Sequence, residues 1–223
     1  MARWPLSLRA AINTIPILTI KDAAWREGRL SDLAFAVSTR LGYLPDIIRV
    51  IDESLYALGL ELAGKDAEIN NLRAEGSVYT FGDYRAVRKL LIGAGSFITE
   101  SRSCFENLAC FYREFLRNYF EEMVSVASSY AIVAHMASTE QWADDLQRIR
   151  HDLLHERSMW LAFEVRSGQT PRYEPLLLLN WRPGRFQPDD CVPFQVLRDI
   201  RAGLAEAAAG LQESLVRRVS VAK

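Results

Sequence analysis

The spacing of apolar residues constrains this chain more than any other feature. Apolar side chains recur every three or four residues along most of the sequence, which places them on one face of a helix. This pattern predicts a long helix from Asp83 to about Tyr119. It predicts another from Pro45 to Ala63, with Pro45 in the first turn and Gly64 at the stop.

Shorter helices and a small extended region complete the predicted fold. Further helices are predicted over Leu30–Leu41, Lys65–Glu75, Glu121–Met136, Thr139 to about Arg157 with Thr139 as N-cap, and Pro193–Val219. Extended or turn structure is predicted over Ile12–Lys21, Ser77–Gly82, Met159–Val165, Ser167–Gly168 and Leu176–Trp181. The chain should therefore be mainly α, with residues 1–223 in a single domain. We expect an up-and-down helical bundle with a small β-hairpin or extended insertion before the last helix.

Composition agrees with a metal-free globular protein in a reducing compartment. With 223 residues and 49% hydrophobic content, the chain can form a sizeable hydrophobic core without disulfides or a bound metal. The chain has three cysteines, Cys104, Cys110 and Cys191, whose spacing is not that of a metal site. Because their number is odd, at least one thiol would stay unpaired in any set of disulfides, so we expect all three to be small buried hydrophobic residues. No stretch approaches the ~20 apolar residues of a membrane span. We expect a soluble, cytoplasmic protein.

The segment from Arg150 to His155, hereafter the hexad, combines residue types that are typical of a catalytic or ligand-binding site. It holds two of the three histidines, His151 and His155, beside an arginine and near the end of a predicted helix. The net charge of -1 argues against non-specific coating of nucleic acid. Residues 148–185 nevertheless contain seven arginines against four acidic residues, which favours a local phosphate-binding patch. These arginines are 148, 150, 157, 166, 172, 182 and 185.

The hexad resembles the signature of the HEPN superfamily (higher eukaryotes and prokaryotes nucleotide-binding domain). That signature is an arginine, a polar residue, a short spacer and a histidine, and Arg150, His151 and His155 occupy those places. HEPN domains are up-and-down helical bundles with the signature on a late helix, so the resemblance places a core at about residues 45–160. The hairpin and last helix, about residues 159–219, fall outside it.

This resemblance implies a metal-independent endoribonuclease that needs no cofactor and works as a homodimer. In such enzymes the 2′-hydroxyl of RNA attacks the adjacent phosphate, which requires proton transfer and positive charge. We expect His155 to act in acid–base catalysis, Arg150 to hold the phosphate and His151 to position the 2′-hydroxyl or backbone. Proteins of this superfamily often serve in toxin–antitoxin systems or phage defence, which implies a partner of antitoxin or nucleotidyltransferase type.

Helix geometry bears on whether one chain can complete this site. At about 100° per residue, Arg150 and His155 lie about 140° apart, so a second subunit is the simplest way to bring them together. His151 and His155 share a face, and this is the spacing of a helical two-histidine zinc site. A third ligand would have to come from Glu156, Glu164, Asp189 or Asp190, none of which has a spacing that points to it.

A third interpretation is a non-catalytic helical module that dimerises or binds RNA or nucleotides. The hexad would then be an ordinary solvated helix end. We expect His135 to pack within an apolar helix, and Glu100 and Glu106 to face solvent rather than to support the histidines. The aromatic run from Phe105 to Phe120 has the spacing of a buried stripe, which favours core or dimer interface over base stacking.

Overall fold

The structure is a computed structural model, and it describes residues 28–65, 78–80, 85–155, 159–166, 172–179 and 190–221. At 78–80, 154–155, 165–166, 172 and 220–221 only the backbone is described. The helices are α1 (Arg29–Ala63), α2 (Arg85–Phe120), α3 (Val126–Ala134), α4 (Gln141–His155) and α5 (Phe194–Val221). The strands are β1 (Val78–Thr80), β2 (Trp160–Arg166), β3 (Arg172–Leu178) and β4 (Cys191–Pro193). No helix in these ranges is long and apolar enough to cross a membrane.

The predicted mainly-α fold with a small antiparallel sheet before the last helix is confirmed. Strands β2 and β3 form the hairpin, in register from Trp160 opposite Leu178 to Arg166 opposite Arg172. Strand β1 pairs with the outer edge of β2, and β4 pairs with β3, so the sheet order is β1-β2-β3-β4. Strand β4 leads directly into α5.

Helix α1 differs from the prediction because it runs through Pro45 instead of beginning there. Proline has no N–H to donate to the carbonyl of Leu41, and its ring crowds that carbonyl, at a cost of about 3 kcal/mol. The apolar stripe continues on both sides, however, and Leu41, Leu44 and Ile51 are all buried. Burial of this continuous stripe outweighs the lost hydrogen bond. The predicted stop at Gly64 is confirmed.

The segment between α2 and α3 is not helical, contrary to the prediction. Glu121 has φ 57°, in the left-handed region that helices do not use, and α3 begins only at Val126. Ser125 is its N-cap, since the Ser128 N–H donates to the Ser125 Oγ at 3.0 Å. Helix α4 begins at Gln141, so Thr139 does not take the predicted N-cap position.

Other predicted segments fall outside the described residues. These are Ile12–Lys21, the body of Lys65–Glu75, the Ser167–Gly168 turn, and the end of Leu176–Trp181.

The described residues cluster into two compact units, and α1, α2, α4 and α5 each contribute to both. Of the described residues, the first unit comprises 28–44, Glu100–Leu146 and 199–221. The second comprises those between Pro45 and Thr99 and those between Gln147 and Arg198.

The first unit has an aromatic core, as the spacing of the aromatic run predicts. Phe105, Phe111, Tyr112 and Phe115 are buried, and the Phe105 ring meets the indole of Trp142 edge-on at 4.9 Å between centroids. Such edge-to-face pairs stabilise a core beyond the area that they bury.

In the second unit, α1 and α2 approach each other closely. A Cβ placed on Gly93 would lie 3.0 Å from the Ile51 Cγ1, so the missing side chain permits this approach. Lys89 and Glu53 form an ion pair at 3.5 Å across the same pair of helices. This unit also contains the sheet and the hexad.

Candidate functional site

The hexad occupies the C-terminal end of α4, and a buried stripe anchors that helix. Trp142, Leu146 and Ile149 are at most 2% exposed, as the three- and four-residue spacing predicts, whereas Leu153 is half-buried. The stripe determines which way the rest of the helix faces, because the buried residues fix its rotation about its own axis.

Helix geometry separates the predicted site residues into two groups. Arg150 follows the buried Ile149 and is half-buried, whereas His151 is exposed. Position 151 lies about 160° around the helix from position 149, and position 155 lies about 40° from position 151. His155 is the last residue of α4, and its side chain lies outside the described atoms. Since α4 is helical throughout, Arg150 and His155 diverge by about 140°, as predicted.

The charges on α4 are nearly balanced along its length. Arg148 and Arg150 are accompanied by Asp144, Asp145 and Asp152 on the same helix. Additional positive charge for a phosphate would therefore have to come from other arginines of the 148–185 window. The two at 166 and 172 occupy directly opposite positions in the β2–β3 hairpin, while 157, 182 and 185 lie outside the described residues.

Among the four residues considered as a third metal ligand, Glu164 and Asp190 lie close enough to the Cys191 thiol to affect its pKa. Burial raises the pKa of the Cys191 thiol, and the carboxylates of Asp190 and Glu164 raise it further. Glu156 and Asp189 are not described. Across the described part of the chain, no group of three or more histidine, cysteine or acidic side chains could hold a metal ion.

His135 does not pack in a core, contrary to the prediction. It is the C-cap of α3, and its side chain is 66% exposed. Its Nδ1 lies 2.6 Å from the Glu140 Oε1. The apolar sequence before His135 predicted a buried position, but α3 ends at Ala134. His135 therefore follows the last helical turn, in which Val133 and Ala134 are buried.

The two glutamates considered as supports for the histidines have other partners. Glu100 pairs with Arg40, and Glu106 accepts a hydrogen bond from the Arg102 Nε at 2.9 Å. The Arg102 guanidinium also lies 5.1 Å from the ring centre of Tyr130. Burial, and then the Glu106 carboxylate, raises the pKa of Tyr130. These contacts join helices within the first unit.

A cationic groove in the second unit was not predicted. Arg85, Arg88 and Lys89, at the start of α2, line a cavity of about 470 Å³ together with Ile47 and Val50 of α1. The sequence signal was the presence of three cations within five residues at a helix start. The sequence analysis instead predicted the positively charged patch within residues 148–185.

Comparison of the chain with protein-family models, curated proteins and solved structures finds no match to any of the three. The features of this chain that point to a function are therefore the residues of the hexad and their position on α4.

Proposed function

We propose that this protein is an HEPN-like, metal-independent endoribonuclease that acts as a cytoplasmic homodimer on RNA, with Arg150, His151 and His155 at its site. The observation that carries the proposal is the placement of the hexad on α4. The opposite face of this helix is buried through Trp142, Leu146 and Ile149, and His151 faces solvent. A rigidly anchored helix with an exposed histidine can position that side chain against a large substrate.

The chemistry follows from the properties of the three side chains. The 2′-hydroxyl loses its proton to a base and attacks the adjacent phosphorus, and the 5′-oxygen leaves with a proton from an acid. A cyclic phosphate remains. Histidine exchanges protons near neutral pH, so His155 takes the acid–base role. Arg150 donates to the phosphorane oxygens, and because the residue is half-buried its side chain has less freedom to move. His151 orients the 2′-hydroxyl.

A two-subunit site resolves the divergence of Arg150 and His155. If the C-terminal ends of two α4 helices meet, the arginine of one subunit can approach the histidine of the other. Such an arrangement has twofold symmetry and produces two equivalent sites. A partner of antitoxin or nucleotidyltransferase type, and a role in phage defence, belong to the same proposal.

The first test is RNA cleavage in the presence of EDTA. We expect cyclic-phosphate products and a loss of about 100-fold or more in rate for His155→Ala, the usual contribution of a general acid or base. His135→Ala is the matched control, since that histidine is 66% exposed and lies in the first unit, away from the hexad in sequence. It should retain full activity.

A mixing experiment tests the dimer separately from the chemistry. Arg150→Ala and His155→Ala chains are each expected to be inactive, but co-expression would yield heterodimers with one intact site. Random pairing should restore about a quarter of the wild-type rate. No recovery would place the site within one chain.

Other outcomes would replace the proposal. Cleavage that EDTA abolishes, with stoichiometric zinc that His151→Ala loses, would indicate the metal site. RNA binding without cleavage would indicate a non-catalytic module.

A further inference from the structure

The hexad lies between two points at which the chain is anchored in the second unit. Ile149 is the last fully buried residue among the described side chains of α4. Beyond the helix, Leu161 and Ala162 of β2 are again fully buried. His155 ends α4, six positions after Ile149, where the last carbonyls of a helix lack intrahelical partners. The β2 side therefore contributes to holding this helix end.

The first described residue after α4 is Met159, and it contacts Gly95 of α2. Met159 is half-buried, and a Cβ placed on Gly95 would lie 3.3 Å from the Met159 Cε. Carbon atoms in contact are about 3.5–4.0 Å apart, so the methionine methyl group occupies the space of the missing side chain. Met159 follows His155 by four residues, a span of at most about 14 Å. All three residues belong to the second unit.

Gly95 permits this contact at the expense of helix stability. Glycine inside a helix is less favourable than alanine, because its backbone loses more conformational freedom on folding. Gly95 lies well within α2, and its φ is not in the left-handed region that requires glycine. Outside its own helix, the Met159 Cε is the one described atom within 4 Å of the Cβ position. The approach of Met159 is therefore the structural reason for a glycine here.

We propose that Met159, through its contact with Gly95, is a positioning residue for His155. The inference rests on the proposed ribonuclease function and adds to it a residue outside the hexad. Acid–base catalysis needs its heavy atoms about 2.6–3.2 Å apart, and a displacement of about 1 Å can reduce a rate about 100-fold. Methionine adapts to small changes in its surroundings, but a leucine at position 95 would displace it and the adjoining end of α4.

Steady-state kinetics of RNA cleavage in EDTA test this role. Gly95→Leu should lower kcat about tenfold or more and leave KM within about twofold, because the contacts that bind substrate are kept. Addition of Met159→Ala should restore most of the rate, since leucine then fills the space that methionine leaves. Gly59→Leu is the matched control and should cleave at the wild-type rate. Gly59 also lies inside a helix of the second unit, but a Cβ there would meet nothing within 4 Å.

Two kinetic results would overturn the proposal. One is a wild-type kcat in Gly95→Leu, and the other is a loss of rate that Met159→Ala does not restore. Circular dichroism establishes that each variant is folded. If Gly95→Leu does not fold, Met159→Ala alone should lower kcat about threefold or more at unchanged KM. An unchanged kcat in that single variant would be equally decisive against the positioning role.

Nuclear magnetic resonance separates this failure from a failure of the ribonuclease proposal. If the wild-type protein does not cleave RNA, the imidazole signals of isotope-labelled histidine still report on the contact. Those of His155, assigned with His155→Ala, should shift in Gly95→Leu and return when Met159→Ala is added. Those of His135, which is exposed in the first unit, should stay unchanged. Unchanged His155 signals in Gly95→Leu would refute the positioning role, whether or not the wild type is active.

Discussion

Replacement of Gly203 by alanine should destabilise the protein, although the same change normally stabilises a helix. Gly203 lies within α5 and is buried in the first unit. A Cβ there would lie 2.2 Å from the Cγ and 2.3 Å from the Cδ1 of Trp142. Carbon atoms in contact are about 3.5–4.0 Å apart, so the backbone or the indole would have to move by more than about 1 Å.

The magnitude follows from two opposing effects. Alanine gains about 1 kcal/mol over glycine in a helix interior. Overpacking costs about 1–3 kcal/mol, and this site belongs at the upper end. Trp142 is 2% exposed and packs against Phe105, so it cannot withdraw into solvent. We expect a net loss of about 2 kcal/mol, or a fall in Tm of about 4–8 °C for a chain of this length.

The assay is thermal and urea denaturation followed by circular dichroism, with Gly59→Ala as the control. Gly59 also lies inside a helix, but a Cβ there would meet nothing within 4 Å. The control should raise Tm by about 2–4 °C, since it keeps the helical gain without the overlap. A Gly203→Ala protein as stable as Gly59→Ala would refute the packing argument.

Two further predictions concern titratable groups. The Ser138 N–H and Oγ donate to the Glu206 Oε2 at 2.9 and 2.8 Å, and these bonds lower the pKa of Glu206. Their stabilisation is present above the ordinary pKa of a glutamate and is lost as pH falls through the lowered value, so Glu206→Gln should reduce the loss of urea resistance between neutral pH and about pH 3. An unchanged acid dependence would contradict this. Burial raises the pKa of Cys104 to about 12, so mass spectrometry should show a thiol reagent modifying Cys110 and Cys191 first and Cys104 only on unfolding. Equal labelling of all three in the folded protein would refute it.

Local periodicity predicted the long elements well and their ends less well. Helix α2 was expected from Asp83 to about Tyr119 and runs Arg85–Phe120, because its apolar stripe repeats without interruption. The β2–β3 hairpin was visible in its aromatic and apolar residues. The start of α3 was missed because Glu121 adopts a left-handed conformation, which no local preference of glutamate predicts.

The candidate site was predictable in part. The hexad was identified from residue types and spacing, and the exposure of His151 agrees with a position opposite the buried stripe of α4. Roles for His151 and His155 remain predictions. The pairing of Glu100 with an arginine 60 residues away could not be predicted from local sequence. The pairing of Glu106 could have been predicted, because its arginine lies four residues away on the same helix.

The sequence by itself determined the mainly-α fold, the hairpin and the helical register of the hexad, since each depends on residues a few positions apart. Tertiary structure decided that α1 continues through Pro45, that Trp142 packs onto Gly203, and that the cations of α2 share a groove with Ile47. The physical reason is that helical periodicity acts over one or two turns. Packing depends instead on which distant side chains meet, and burial of a continuous apolar surface can outweigh the local preference of a single residue.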